Sequence, residues 1–432
     1  MSRVVVTGMG AMTPVGNSVP DTWEALVAGR SGIDTISHFD ASAFPTRIAG
    51  EVKGFDPEEH LGKKKTRRTA RFSQLAIVAA REAVADAGLT IDESNAGNIG
   101  VIVNSAVAGV PETQDAVDTL RGETGIPEVS PYYVASTILN MPACEVAMDL
   151  GIHGPVSASA LACASGNAAL LEARRLILGG EADVVIAGGT DAGITEVMFA
   201  GLSNMGALSQ CNDDPAHASR PFDRDRDGFV FGEGAVLLVL ESQEHALARG
   251  ARVYGELLGG VLTTDAFHMS APEPSGRFAA AAMRSALART GVAPSDVDYI
   301  CAHGTATRIN DRIETVAIHS AFGDAAGSVP ISSTKSMVGH LIGATGALSA
   351  MVCLLGMRDG VVPPTTNLEN PDPECDLDYV PNEAREVRVR TAIVNAFGFG
   401  GQNCVVVLRA NGAQLARPAS RPRASRGVSS SR

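Results

Sequence analysis

Short β-branched runs alternate along this chain with longer stretches rich in Ala and Leu. Val4-Val5-Val6 leads into Thr-Gly-Met-Gly, Asp183-Val184-Val185-Ile186 into Ala-Gly-Gly, and Ala392-Ile393-Val394 into Asn-Ala-Phe-Gly-Phe-Gly-Gly. Apolar runs of this length predict buried strands that end at the Gly-rich turns. Residues 72–87, 167–178, 278–289 and 344–357 predict helices. Strands alternating with helices give an α/β protein whose sheets are covered by helices.

Two segments refine that picture. Residues 337–357 carry no formal charge and include Gly339-xxx-Gly343, as a transmembrane helix would. They also hold His340, Thr345, Ser349 and four glycines, with no second span nearby, which fits a helix buried on all sides of a large protein. The second feature is an internal echo. Cys163-Ala-Ser-Gly166 and His340-Leu-Ile-Gly343 lie 177 residues apart, and Leu171, Ala173, Leu178 and Gly179 recur at that offset as Leu348, Ala350, Leu355 and Gly356. Each is a small-residue turn opening an apolar helix, one carrying Cys and the other His.

Composition narrows the function. With 432 residues, 45% apolar and 19% charged, the chain is not disordered. Only residues 412–432, rich in Ser, Arg and Pro, predict a disordered basic tail. A net charge of −13 excludes a general nucleic-acid binder, which needs a basic face. Seven scattered Cys without a CxxC pair make neither a disulfide framework nor a zinc site of the usual spacing. An odd count and no secretion signal point to a reducing cytoplasm.

Of the seven, Cys163 alone sits on an Ala/Ser/Gly turn before a helical run. Unpaired N–H groups at such a helix start stabilise thiolate and can receive a developing oxyanion. The other six read as small buried hydrophobes. His303 and His340 each lie beside a Gly turn, the second five residues after Lys335. Together with Cys163 they form a nucleophile-plus-base set. A papain-like protease lacks support because its local Cys signature is absent, and Gly8-Met-Gly10 is no dinucleotide fingerprint.

Ala-Cys-Ala-Ser-Gly around Cys163, HGTATRINDRIE from His303, STKSMVGHLIGATG around Lys335 and His340, NAFGFGGQN at 395–403 and RPFDRDRDGFVFGEGA at 220–235 resemble the β-ketoacyl-acyl-carrier-protein synthases. The likeness runs from about residue 3 to 409. It implies a thiolase-like fold, α/β, with duplicated halves in a five-layered αβαβα sandwich, here residues 1–250 with the nucleophile and 251–411 with both histidines. Carried onto this chain, it makes Cys163 the acyl-accepting nucleophile. His303 and His340 become Nε2–H donors to the malonyl thioester and its enolate, and Lys335 organises the site with Glu314 and Asp311. The N–H groups of Cys163 and Phe399 form the oxyanion hole, with Phe399 also a gate. Thr305 and Thr307 hold the phosphopantetheine arm. No metal or resident cofactor is implied, since substrates arrive on the phosphopantetheine of acyl carrier protein.

The Cys-His-His set points to the elongating synthases. Degradative thiolases need a second active Cys near the C-terminus, where this chain has Phe and Gly, and Cys404 reads as core. Asn310-Asp311-Arg312-Ile313-Glu314-Thr315 resembles the ketosynthase subunit of type II polyketide synthases, whereas Phe-Gly-Phe-Gly-Gly-Gln-Asn is closer to the fatty-acid pattern. The reading is a type II polyketide ketosynthase, with fatty-acid elongation the alternative. A non-catalytic chain-length-factor subunit is disfavoured because the nucleophile is present. Residues 129–141, including Tyr133, are similar to family segments that line the neighbouring subunit's acyl pocket. That implies a homodimer or a heterodimer with a chain-length factor. Lys64, Lys65 and Arg68, in a run that puts five basic residues into six positions, would dock the acidic carrier protein. Ser349 stands where many relatives carry Glu.

Overall fold

The computed structural model describes residues 3–123 and 125–412; from residue 413 on, the predicted tail lies outside it. Ten strands carry the fold. They are β1 (Val4–Met12), β2 (Ile99–Asn104), β3 (Val156–Ser157), β4 (Val184–Asp191), β5 (Gly234–Ser242), β6 (Gly255–Thr264), β7 (Tyr299–Cys301), β8 (Ile331–Ser332), β9 (Thr391–Gly398) and β10 (Gln402–Ala410). Six helices pack on them: α1 (Arg71–Ala87), α2 (Met141–Leu150), α3 (Ser165–Leu178), α4 (Arg277–Thr290), α5 (Arg308–Phe322) and α6 (Thr345–Asp359).

The spatial order is β3-β2-β4-β5-β1 in one half and β8-β7-β9-β10-β6 in the other. Numbered within each half, both read 3-2-4-5-1. In each, the first three of these neighbours run parallel and the rest antiparallel. The 177-residue echo is thus the trace of a duplicated fold. The halves join where β1 meets β6 over Val5–Glu256 and Val6–Gly255. Beyond that point the free N–H groups of Met9 and Ala11 bond to Asp86 and Glu82 of α1, at 3.0 and 2.9 Å, instead of to another strand.

Alternation along the strands builds the layers. Val185 and Ala187 of β4 face one core with α3 and α6, while Val184 and Ile186 face another with α1 and α2. Val406 and Leu408 of β10 face the shared core, and Val405 and Val407 face α4 and α5. The result is the five-layered αβαβα sandwich, with α3 and α6 as the middle layer. The uncharged stretch is that central helix, buried from Thr345 to Met357. Among the described residues no helix is long and apolar enough to cross a membrane.

The predicted strand ends are corrected. β1 runs through Gly8 and Gly10, and β4 through Gly188 and Gly189. These glycines are not turns but places of close approach. A Cβ at Gly8 or Gly10 would lie 2.2 or 1.9 Å from a carbonyl oxygen of α1, so only hydrogen lets the helix settle on the strand. The same holds where α3 and α6 cross, since a Cβ on Gly166 would sit 2.7 Å from the Ala347 nitrogen.

Candidate active site

Both echoed turns lie at the third strand of their half, so the duplication brings Cys163, ahead of α3, and His340, ahead of α6, into one place. His303 follows β7, and Phe399 caps the β9–β10 hairpin. One ligand-type atom each of Cys163, His303 and His340 lie within 4.8 Å of one another. Among the described residues this is also the one His/Cys/Asp/Glu group close enough to share a metal ion.

Cys163 sits on a strained turn. Ala162 before it takes φ +48°, which is uncommon for a residue with a side chain. The Ser165 hydroxyl closes this turn, donating to the Ala162 carbonyl at 2.7 Å and accepting the Leu161 N–H at 2.9 Å. Asn104 of β2 anchors it through the Ser165 carbonyl at 2.9 Å. The β9–β10 hairpin then comes close: a Cβ on Gly398 would stand 3.2 Å from the Cys163 nitrogen. The amides of Phe399 and of Cys163 itself are both directed at the sulfur, so the expected oxyanion donors are brought together.

The thiolate expectation is corrected. Burial pushes the Cys163 thiol up to about 11, against the pull of Lys335 and the two amides. Desolvation of the charge thus outweighs the helix start.

The two histidines are held by their backbones. Glu314 of α5 accepts the N–H groups of His303 and Gly304, each at 2.8 Å, and the Asn395 amide at 3.1 Å. Lys335, fully buried, donates its ammonium to the His303 carbonyl. Lys335 and Glu314 therefore clamp the His303 peptide units from two sides, rather than pairing directly. His340 is pinned between the Val230 carbonyl and the Gly232 N–H, at 2.7 and 2.9 Å. Its Nδ1 accepts the Ile342 N–H at 3.2 Å and lies 3.0 Å from the Thr345 hydroxyl. An Nδ1 that accepts an amide carries no proton, so Nε2–H is the donor, and among the described residues it has no hydrogen-bond partner. Burial, then the nearby Lys335 ammonium, hold both imidazoles well below the ordinary histidine value. Both rings are thereby neutral, and only His340 has its tautomer fixed by a backbone contact.

Supporting residues surround them. Asp311, raised by burial, accepts the Phe222 N–H at 2.9 Å and lies 3.6 Å from Arg226. Arg226 donates to the carbonyls of Thr307 and Arg308, and to Asp372, fastening the 220–235 motif to the loop after His303. The sequence marked that motif without the role of Arg226. It also missed the role of Ser165, although that residue stands inside the Cys163 motif, and it missed Asn104 and Asp191, which lack chemistry-bearing neighbours in sequence. Ser349 is buried and hydrogen-bonds Cys301.

A cavity of about 530 Å³ opens over the three residues. On the Cys163 side Val107, Met198, Leu202, Phe229, Phe231 and Ile342 wall it. The other side carries Thr305, Thr307, Arg308, Ser270 and Glu273, with the Thr305 and Thr307 hydroxyls 3.0 Å apart. Phe399, 41% exposed, stands at this cavity.

Two expected groups lie elsewhere. Tyr133 does not line its own chain's cavity; its hydroxyl is 3.4 Å from that of Thr113. In the basic run Lys65 is half-buried and paired with Asp149 at 2.7 Å, an aspartate that also holds Arg81. Lys65 is therefore an internal strut, while Lys63, Lys64, Arg67 and Arg68 are exposed, Arg68 resting over the Tyr132 ring.

Residues 1–246 match the family described as beta-ketoacyl synthase, N-terminal domain, and residues 254–369 match beta-ketoacyl synthase, C-terminal domain. The chain is 47% identical over 407 residues to 3-oxoacyl-[acyl-carrier-protein] synthase 2 of Synechocystis sp., covering 94% of this chain and 98% of that one. It is similar in structure to the ishigamide ketosynthase/chain length factor, with 36% identity, a TM-score of 0.89, and coverage of 95% and 100%. Likeness also extends to a type II polyketide acyl-carrier protein in complex with its ketosynthase bound to the hexaketide, with 33% identity, a TM-score of 0.87, and coverage of 95% and 99%.

Proposed function

The chain belongs to the β-ketoacyl synthase family and is a ketosynthase of the acyltransferase class, and from that premise we propose that it elongates saturated acyl chains carried on acyl carrier protein. The observation that carries this reading is one thiol, two neutral imidazoles and two backbone amides converging on one cavity.

In the proposed cycle the Cys163 sulfur attacks the acyl thioester of the carrier. The amides of Cys163 and Phe399 hold the tetrahedral oxyanion, and the carrier thiol leaves with the proton that Cys163 gives up. Malonyl carrier protein follows, its phosphopantetheine passing Thr305 and Thr307. His303 and His340 donate to its thioester carbonyl while carbon dioxide leaves, which stabilises the enolate. The enolate carbon attacks the Cys163 thioester and its C–S bond breaks; the lengthened β-ketoacyl carrier departs, and the released sulfur takes a proton from solvent to restore the thiol. No resident cofactor or metal takes part.

Within the family, the sequence motifs favour polyketide assembly, and the balance shifts here to fatty-acid elongation. Support comes from the 3-oxoacyl-[acyl-carrier-protein] synthase 2 relatives at 46–47% identity, against 33–36% for the polyketide structures. The apolar wall beside Cys163 also suits a reduced chain, because each buried ketone would ask for a hydrogen-bond donor. The test is turnover of the purified protein with malonyl carrier protein and either saturated or poly-β-keto acyl carriers, products identified by mass. Preference for saturated chains supports the reading, and preference for poly-β-keto chains returns it to polyketide assembly. A cysteine enzyme of this kind fits a reducing cytoplasm, where its thiols stay unpaired.

Two partners are proposed. Residues 110–138 include Ile126, 80% exposed, and Val134, 72% exposed, and the helix Val110–Arg121 buries none of its residues. In the same half β3 is an open sheet edge. A second subunit would cover both, and light scattering should give twice the chain mass; a fully active monomer would refute this. The acidic carrier protein would meet Lys63, Lys64, Arg67 and Arg68. Reversing Lys63, Lys64 and Arg67 to Glu should raise KM for carrier-bound substrate and flatten its salt dependence, leaving acylation by a small thioester unchanged. Equal loss with both substrates would refute docking there. Lys65→Glu should instead lower stability, since it puts a carboxylate against Asp149.

A further inference from the structure

Asp191, the last residue of β4, is fully buried beneath the site and belongs to none of the roles above. Its carboxylate accepts the Ser105 hydroxyl at 2.5 Å, the Val107 N–H at 2.9 Å, the Ala106 N–H at 3.1 Å and the Gly343 N–H at 2.6 Å. The Ser105 hydroxyl donates to Asp191 while its oxygen takes the Ala108 N–H at 2.9 Å. Burial pushes this carboxyl up, and the Ser105 hydroxyl and the Val107, Ala106 and Gly343 amides pull it back down. The Gly343 peptide is wedged as well. A Cβ there would stand 2.6 Å from the Asp191 carboxylate, and a Cβ on Gly189 would meet the Gly343 carbonyl oxygen at 2.2 Å.

Just before Gly343, Ile342 takes φ +46°, a genuine outlier for a β-branched residue that persists only when its surroundings impose it. In that conformation its N–H reaches Nδ1 of His340. We infer that Asp191 is a positioning residue: by gripping Gly343 it holds residues 340–343 in the shape that commits His340 to its Nε2–H tautomer. This rests on the proposed role of His340 in malonyl decarboxylation.

Asp191→Asn keeps the shape but turns an amide N–H toward donors. It should lower the kcat for malonyl decarboxylation about 10- to 100-fold, the usual scale for a group that orients a functional histidine. KM should stay within about threefold, and acylation of Cys163 should not fall, since losing the Asp191 charge, which holds the thiol up, works in its favour. Gly343→Ala, which strikes the same contact from the other side, should show the same split. His340→Ala is measured alongside. If it retains decarboxylation, the reading of His340 fails. If it loses decarboxylation while the folded Asp191 and Gly343 variants keep it, or lose acylation in parallel, the inference alone fails. Loss of soluble protein in both variants would likewise overturn it, in favour of a joint that only holds the fold.

Discussion

Cys163→Ala is expected to reduce condensation at least about 1000-fold while leaving the protein folded and still able to decarboxylate malonyl carrier protein. The substitution removes one sulfur and keeps the Cβ, so the strained Ala162 turn, closed by Ser165 and anchored by Asn104, has no reason to open. Nothing else replaces the nucleophile. Cys301, Cys353, Cys375 and Cys404 are buried, and Cys144 and Cys211 do not line the cavity. Decarboxylation survives because its donors hang from other anchors: His303 from Glu314 and Lys335, His340 from Val230 and Gly232. The measurement is carbon dioxide release and product formation by the same preparation. Loss of both would place Cys163 within the decarboxylating machinery, and normal product formation would remove it from the mechanism.

The reciprocal result is expected of His303→Ala and His340→Ala. Each deletes one neutral donor aimed at the developing enolate, and such a donor is worth about 100- to 1000-fold in rate. Cys163 acylation should fall far less, since its oxyanion is held by backbone amides that neither substitution touches. Because burial and Lys335 keep both rings neutral, decarboxylation by the wild type should not follow an ordinary histidine titration near pH 6.5. Carbon dioxide release by both variants at wild-type rates would end the assignment.

Most of what was legible in the sequence was periodic or local. The β-branched runs marked real strands, and the helices at 72–87, 167–178, 278–289 and 344–357 match within a few residues. The ends of β1 and β4 were misjudged because glycine signals both a turn and a close approach, and only the packed α1 and the neighbouring backbone distinguish them. The nucleophile and both histidines stood out through their small-residue turns. The groups that orient them did not. Asp191 contacts residues 86 and 152 positions away, and Arg226 residues more than 80 away. Separations that long leave no local pattern. The thiolate expectation for Cys163 failed for a related reason, because the helix start is visible in sequence while the desolvating cavity around the sulfur is not.

The central claim is that Cys163 carries the acyl chain between the two half-reactions. Intact-protein mass spectrometry after incubation with acyl carrier protein alone tests it most directly. One acyl adduct per chain, mapped to Cys163 and discharged into a chain lengthened by two carbons when malonyl carrier protein is added, is the predicted result. An adduct on another residue, or extension of the chain with no adduct at all, would contradict it.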